Sequence, residues 1–359
     1  MACRTICLDS CLKSRDGRCS DGWTGDEGLE GKPVCALGHD CADCGPREVC
    51  PVDGLPQVTL PRAVLTPASA ASVLRPVQVL FMIMGSSRLR SRSDRAYGSW
   101  CRSQRGVRCL FVADEEPSQR AASANASMPL LSISAHVPKK CCVHTSRRKA
   151  SFFCSSHRAA TLTAQYRFLP ALSHVQASAA FASGAFKWVV LVDDDTFVHV
   201  PRLLWLLARL DARAPIYAGD FGSSSDAAHN QVPHFACGGG GSVLSAAAVR
   251  LMDVSRCVRL YHGRCMQSDW MIGGCARLHN VSELRSLGCG TCDPKRIDVA
   301  GVRAKLREDR CFFLQNAKAF AKDLPACRRA AAIVHLLGLS ASEQAALLQV
   351  GHEVGWRGG

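Results

Sequence analysis

Residues 187–198 read KWVVLVDDDTFV, and this stretch decides the fold. Residues 188–192 form a continuous apolar run, which is typical of a strand buried on both faces of a sheet. The run stops at three consecutive aspartates, Asp193, Asp194 and Asp195. Because ligands bind beyond the carboxyl ends of strands in open α/β sheets, we expect a binding site at these aspartates.

The three adjacent carboxylates have two interpretations. They repel one another, so they cost free energy unless positive charge lies among them. Hard divalent cations such as Mg²⁺ and Mn²⁺ prefer oxygen ligands and commonly bridge to substrate phosphates, which favours a metal–diphosphate site. The alternative is an acidic surface turn that caps a helix beginning at Pro201.

Short strands and helices alternate on both sides of this stretch. Apolar runs at 77–84 and 108–113 flank an Arg-rich segment that we expect to be helical, and this βαβ pattern predicts parallel strands. Residues 117–150 are polar and predict an irregular insertion. The leucines of 203–210 predict an amphipathic helix, and 216–219 predicts another strand. Further helices are predicted at 161–181 and from Ser245 to Met252. The whole pattern predicts an α/β fold.

Two segments farther along the chain carry a family resemblance. Residues 234–245 read HFACGGGGSVLS, and residues 265–273 read CMQSDWMIG. Together with 187–198, in this order and spacing, they resemble segments of Fringe and its relatives, which include the core 1 β-1,3-galactosyltransferases. The resemblance covers residues 76–340. It implies a Rossmann-like GT-A fold with a mixed sheet and the inverting transfer of a sugar from a UDP donor, with a β-1,3 linkage formed.

The resemblance also implies roles for individual residues. Asp195 is the expected direct ligand of Mn²⁺ or another divalent cation, with Asp193 as a further ligand. Asp193 and Asp194 would also support the nucleotide. A run of glycines without Cβ atoms would let the backbone approach the UDP-sugar, although such a run is also typical of a flexible turn. It consists of Gly238, Gly239, Gly240 and Gly241.

Asp269 matches the position of the family's catalytic base. An acceptor hydroxyl must lose its proton as it attacks, and a carboxylate can accept that proton. The alternative is an ordinary surface or helix-capping aspartate. The family often has two acids here, whereas this chain has one acid followed by Trp270.

One expected feature of the family is missing from the motifs. The family usually supplies a late histidine as another metal ligand, but neither 295–296 nor 312–315 contains one. We expect His335, at the end of an apolar run, to be a buried core residue rather than a substitute ligand. This departure and the single acid keep a second function open: a secreted, non-catalytic glycan-binding protein on a decayed glycosyltransferase fold.

Charge and composition limit the partners. The chain has 359 residues and a formal net charge of +14, which favours anionic partners. Its arginines are scattered and do not interleave with aromatic residues, so we predict no nucleic-acid binding. The expected partners are a UDP-sugar and a glycan or glycoprotein acceptor.

Cysteine usage indicates the cellular compartment. The chain has 21 cysteines, a density typical of oxidising compartments, and two Asn-x-Ser sequons at Asn125 and Asn280. We therefore expect the Golgi lumen or the secretory pathway. No apolar run reaches 18 residues and no signal peptide precedes Cys3, so we expect a longer protein whose membrane anchor lies outside this sequence.

The predicted domain organisation has four parts. Residues 1–50 form a cysteine-rich disulfide module that loosely resembles a Lin-12/Notch repeat, and 51–75 form a Pro/Ala-rich linker. Residues 76–340 form the GT-A domain, and 341–359 form a C-terminal helix and tail. The resemblance of the module implies a Ca²⁺ site, for which the candidate ligands are Asp21, Asp40 and Asp43.

Overall fold

The structure is a computed structural model. It describes residues 4–6, 47–49, 78–85, 90–102, 107–113, 128–133, 167–223, 234–261, 267–292, 297–323, 327, 331–336, 339 and 344. The predicted calcium ligands, the linker 51–75 and, apart from Gln344, the C-terminal helix and tail at 341–359 lie outside the described residues. Of the cysteine-rich module, two short strands are described, and they pair antiparallel with each other.

Fourteen strands and eight α-helices are described. The strands are β1 (Arg4–Ile6), β2 (Arg47–Val49), β3 (Val79–Met84), β4 (Arg108–Ala113), β5 (Leu130–Ser132), β6 (Trp188–Asp193), β7 (Thr196–Val198), β8 (Ile216–Gly219), β9 (Phe221–Ser223), β10 (His234–Ala236), β11 (Ser242–Ser245), β12 (Ser282–Leu284), β13 (Phe313–Leu314) and β14 (Ile333–His335). The helices are α1 (Arg90–Ala96), α2 (Phe168–Gln176), α3 (Ala179–Ala182), α4 (Val200–Leu207), α5 (Ala246–Leu251), α6 (Val254–Tyr261), α7 (Ser268–Leu278) and α8 (Val299–Arg307).

A seven-stranded mixed sheet forms the centre of the fold. Its strand order is β12-β8-β11-β6-β3-β4-β5. Strand β11 runs antiparallel to both of its neighbours, β6 and β8, while all other pairs in the sheet are parallel. Six strands therefore end at the same edge, and the three aspartates lie at the carboxyl end of β6, of which Asp193 is the last residue, at that edge.

Strand β6 is buried on both faces, as its apolar sequence predicts. Val190 and Val192 belong to the core cluster on one face, and Val189 and Leu191 belong to the cluster on the other. Successive side chains of a strand point to opposite faces, so one unbroken apolar run fills both cores. Full burial of each such side chain contributes about 1.5–3 kcal/mol.

Several local predictions are confirmed and others are wrong. The hydroxyl of Ser245 caps α5 by accepting the backbone N–H of Ala248, as expected. The predicted helix at 161–181 is broken into α2 and α3, because Ser178 is extended and starts a new cap. The insertion 117–150 is not wholly irregular, since β5 extends the sheet by parallel pairing with β4.

Four disulfides are described, which confirms that this chain forms bridges. They join Cys101 to Cys109, Cys237 to Cys292, Cys257 to Cys275 and Cys289 to Cys311. Two of them hold the segment 289–292, one near each end. None of the described helices has the length and apolarity needed to cross a membrane.

Candidate metal and catalytic site

The three aspartates comprise the last residue of β6, Asp193, and the two-residue turn to β7, and their side chains have different surroundings. The Asp194 carboxylate accepts a hydrogen bond from the Ser93 hydroxyl at 3.4 Å. Asp195 Oδ2 accepts one from Arg92 Nη1 at 2.9 Å. Asp193 Oδ1 is buried and has no hydrogen-bond partner among the described residues. The acidic turn is therefore not a solvated surface feature.

This turn does not cap the helix that follows it. His199 caps α4, because its Nδ1 accepts the backbone N–H of Arg202 at 3.2 Å. The alternative interpretation, an acidic turn capping a helix at Pro201, is therefore wrong. The turn is held from other elements: Trp100 Nε1 donates to the Thr196 carbonyl at 3.0 Å, and the Leu336 backbone N–H donates to the Asp195 carbonyl at 2.9 Å.

His335 lies in this site, which corrects the expectation of a simple core residue. Strand β14 pairs antiparallel with β7, in a register that sets His335 opposite Thr196. His335 Nε2 lies 3.3 Å from Asp195 Oδ1, and Nδ1 lies 3.2 Å from the carbonyl oxygen of Gln315. The side chain is buried, as expected, but it is buried against a carboxylate rather than in an apolar core.

The residues present fit a divalent cation. One ligand atom from each of Asp193, Asp195 and His335 lies within 4.8 Å of the others. The Asp193 oxygen that has no hydrogen-bond partner among the described residues, Oδ1, is available as a metal ligand. Carboxylate and imidazole ligands together suit Mn²⁺ and related first-row cations.

The electrostatics show where positive charge is lacking. Burial, with the charge of Asp195 added, raises the pKa of Asp193 to about 7, and burial likewise raises the pKa of Asp194 to about 8. At Asp195 burial acts in the same direction, but the hydrogen bond and charge of His335 and the charge of Arg92 outweigh it and lower the pKa. The cation-poor part of the cluster is therefore at Asp193 and Asp194.

The glycine run packs closely against His335 and lies near the carboxylates of Asp193 and Asp269. A Cβ on Gly239 would lie 2.5 Å from ring atoms of His335. A Cβ on Gly238 would lie 3.6 Å from Asp193 Oδ2 and 3.7 Å from Asp269 Oδ2, which is ordinary contact. The Gly240 N–H donates to the side-chain oxygen of Gln315. A close approach of backbone to side chains, rather than flexibility alone, explains the glycines.

Asp269 lies in the first turn of α7, and Gly238 lies close to both its carboxylate and that of Asp193. Its Oδ2 accepts the Gly238 N–H at 3.1 Å and its Oδ1 accepts the Trp270 N–H at 2.9 Å. Burial raises the pKa of Asp269 to about 6, although these backbone donors oppose the rise. Gln267, not Asp269, occupies the N-cap position of α7. The site thus has a carboxylate apart from the three aspartates, held in a fixed orientation.

Replacing Gly239 by Ala should damage the site, whereas the neighbouring Gly238→Ala should be tolerated. The new methyl group at 239 meets the His335 ring, so we expect a loss of about 1–3 kcal/mol in stability and at least about tenfold weaker Mn²⁺ binding. The methyl group at 238 has room, so its cost should stay below about 1 kcal/mol. Thermal unfolding and calorimetric Mn²⁺ titration measure both. Equal behaviour of the two variants would contradict the close packing at 239.

The sequence model of the Fringe-like family matches residues 100–282, a little over half of the chain. The matched range includes the three aspartates, the glycine run and Asp269. The chain belongs to the Fringe-like family. For this Fringe-like chain the expected α/β fold with a mixed sheet is confirmed, and its assignment to the GT-A type stays a prediction from the resemblance.

Curated relatives match a shorter part of this Fringe-like chain. A β-1,3-glucosyltransferase from Mus musculus is 35% identical over 84 residues, and one from Homo sapiens is 35% identical over 83 residues. Each match covers 23% of this chain and 15% of the relative. Among solved structures, a galactosyltransferase in complex with donor and acceptor sugar analogues is 10% identical, with a TM-score of 0.34, over 55% of this chain and 69% of that one.

Proposed function

We propose that the chain is a metal-dependent, inverting glycosyltransferase. It transfers a hexose or N-acetylhexosamine from a UDP-sugar to a hydroxyl of a glycan or glycoprotein acceptor and forms a β-1,3 linkage. The observation that carries this proposal is that Gly238 lies close to the carboxylates of both Asp193 and Asp269, while Asp193 also belongs to the group formed with Asp195 and His335. Membership of the Fringe-like family and the names of the curated relatives support it.

Asp193, Asp195 and His335 would hold the cation. When bound, a cation such as Mn²⁺ stabilises the negative charge of a departing diphosphate. The Asp194 side chain turns toward Ser93 and supports the nucleotide side of the turn. Of the glycine run, Gly238 leaves room for the donor beside Asp193 and Asp269, whereas the Cβ positions of Gly239 to Gly241 meet protein atoms.

Asp269 would accept the proton of the attacking hydroxyl. Its two hydrogen bonds from backbone N–H groups fix the direction of the carboxylate. The pKa of about 6 makes Asp269 a stronger base than an exposed aspartate, while it remains ionised at neutral pH. A single base placed apart from the leaving group agrees with direct displacement and inversion.

The rate of transfer should fall in acid because Asp269 must be deprotonated to act. Below its pKa of about 6 we expect kcat/KM to drop about tenfold per pH unit, and above it to reach a plateau. A pH–rate profile at saturating Mn²⁺ tests this. UDP affinity, measured over the same range, separates loss of the base from loss of donor binding. A profile that stays flat down to pH 5 would contradict the role of Asp269.

A glycan-binding protein without activity is the competing function. In this proposal His335, which lies beside Asp195, takes the place of the late histidine, and the single acid at Asp269 is then the observation favouring the alternative. Calorimetric titration of UDP separates the two functions. The enzyme should bind UDP when Mn²⁺ is present and only weakly with EDTA, whereas glycan binding with no UDP affinity would favour the alternative.

The donor and the compartment are further parts of the proposal. UDP-galactose and UDP-N-acetylglucosamine are the leading donors from the sequence, and the names of the relatives add UDP-glucose. We place the enzyme in the Golgi lumen or elsewhere in the secretory pathway. The four disulfides support an oxidising compartment.

A further inference from the structure

We propose that Thr291 and Asp220 are positioning residues that hold His335 in the orientation needed for cation binding. They act through the backbone of Gln315 and are not part of the group formed by Asp193, Asp195 and His335. The inference rests on the proposed function, because it gives His335 the role of a ligand.

Asp220 anchors the network at the carboxyl end of β8. It is 1% exposed, and each of its oxygens has backbone donors. Oδ1 accepts the Gly290 N–H at 2.8 Å, and Oδ2 accepts the Thr291 N–H at 2.9 Å together with the Thr291 hydroxyl. A buried carboxylate with this set of donors fixes the segment that carries Thr291.

Thr291 connects Asp220 to Gln315 through hydrogen bonds of its hydroxyl. The hydroxyl donates its proton to Asp220, so its oxygen is left to accept, and it accepts the Gln315 N–H at 2.9 Å. Thr291 is fully buried, so water has no access to replace that bond. The Asn316 side chain adds a second link by donating to the Thr291 carbonyl.

Gln315 in turn fixes the orientation of the His335 ring. Its carbonyl lies 3.2 Å from His335 Nδ1, so that nitrogen donates and Nε2 faces Asp195 Oδ1 at 3.3 Å. Its side-chain oxygen accepts the Gly240 N–H, which ties the glycine run to the same residue. A histidine that binds metal through one nitrogen needs its other N–H held by such an acceptor.

Two disulfides keep this network in place. Cys289–Cys311 joins the segment before Thr291 to the residues just before β13, which leads into Gln315. Cys237–Cys292 joins the residue after Thr291 to the residue before Gly238. The support for His335 is therefore linked covalently to the glycine run that faces Asp193 and Asp269.

The test compares Thr291→Val, which keeps the shape and removes the hydroxyl, with Thr291→Ser, which keeps the hydroxyl. In the full chain we expect the Mn²⁺ dissociation constant to rise about 10–100-fold in Thr291→Val and to stay within about threefold in Thr291→Ser. Ser245→Ala is the matched control for loss of a buried hydroxyl, since Ser245, the last residue of β11, pairs with Trp188 at the start of β6, the end away from the aspartates. It should lower the melting temperature and leave Mn²⁺ affinity unchanged.

A second readout does not need the cation. The ¹⁵N NMR spectrum of the metal-free protein reports the Nδ1–H proton of His335. The signals of this ring are identified because they are missing from the spectrum of His335→Asn. This proton should exchange with solvent slowly in the wild type and in Thr291→Ser, and rapidly in Thr291→Val. A wild type that binds no Mn²⁺ would refute the proposed metal site, and the ring N–H would still decide this inference. Slow exchange and unchanged Mn²⁺ affinity in Thr291→Val would overturn it.

Discussion

Replacing Asp269 by Asn should lower kcat for sugar transfer by about 10²–10⁴-fold, the usual contribution of a general base. The amide has the same shape and cannot take the proton of the acceptor hydroxyl. It keeps an oxygen for one of the two backbone donors, Gly238 or Trp270, so the local structure should persist. The measurement is the initial rate at saturating UDP-sugar and Mn²⁺, together with UDP affinity by calorimetry.

Asp298→Asn is the matched control for this substitution. Asp298 is the N-cap of α8, where its side chain accepts the Gly301 N–H. It represents the ordinary helix-terminus role that a lone aspartate most often has, and the variant should keep wild-type activity. If Asp269→Asn also transfers sugar at full rate, then Asp269 is a structural residue and the assignment of the base is wrong.

Replacing Asp195 by Asn should abolish Mn²⁺ binding and reduce transfer on the order of 10³-fold or more. The loss combines a missing anionic ligand with a missing partner for His335 Nε2. Stabilisation of a leaving group by a metal contributes several kcal/mol, and each 1.4 kcal/mol is about tenfold in rate. Titration of Mn²⁺ into the variant, with and without UDP, measures the first effect directly.

Asp194→Asn tests whether Asp194, unlike the proposed ligands Asp193 and Asp195, is dispensable for Mn²⁺ binding. The Asp194 carboxylate contacts the Ser93 hydroxyl and is not part of the group formed with His335. The amide oxygen can still accept that hydrogen bond, so Mn²⁺ affinity should remain within about threefold. Equal loss of Mn²⁺ binding at 194 and 195 would show that total charge, rather than the geometry around Asp195, determines binding.

Local apolar patterns predicted the part of the fold that carries the aspartates. The run 188–192 has no polar residue, and only burial on both faces of a sheet satisfies such a run. The helix cap at Ser245 was also predictable from the sequence, because a hydroxyl at the start of a helix commonly accepts the backbone N–H of the third residue after it. These signals depend on near neighbours in the sequence.

What the sequence did not reveal depends on pairing between distant segments. His335 reaches Asp195 only because β14 pairs with β7, and nothing near residue 335 indicates that register. Strand β11 was not predicted from the glycine-rich motif, because it is four residues long and only Val243 and Leu244 in it are apolar. Arg92 was counted among scattered arginines, and its contact with Asp195 follows from the packing of α1 beside the end of β6.

The central claim is that this chain consumes a UDP-sugar with the help of a divalent cation and Asp269. The most direct test is release of UDP from UDP-galactose, UDP-N-acetylglucosamine and UDP-glucose, with Mn²⁺ or with EDTA and with acceptor glycans added. We predict that at least one donor is turned over with Mn²⁺, that EDTA stops the reaction, and that Asp269→Asn shows the loss given above. No UDP release from any donor by a folded protein that binds glycans but not UDP would contradict the claim.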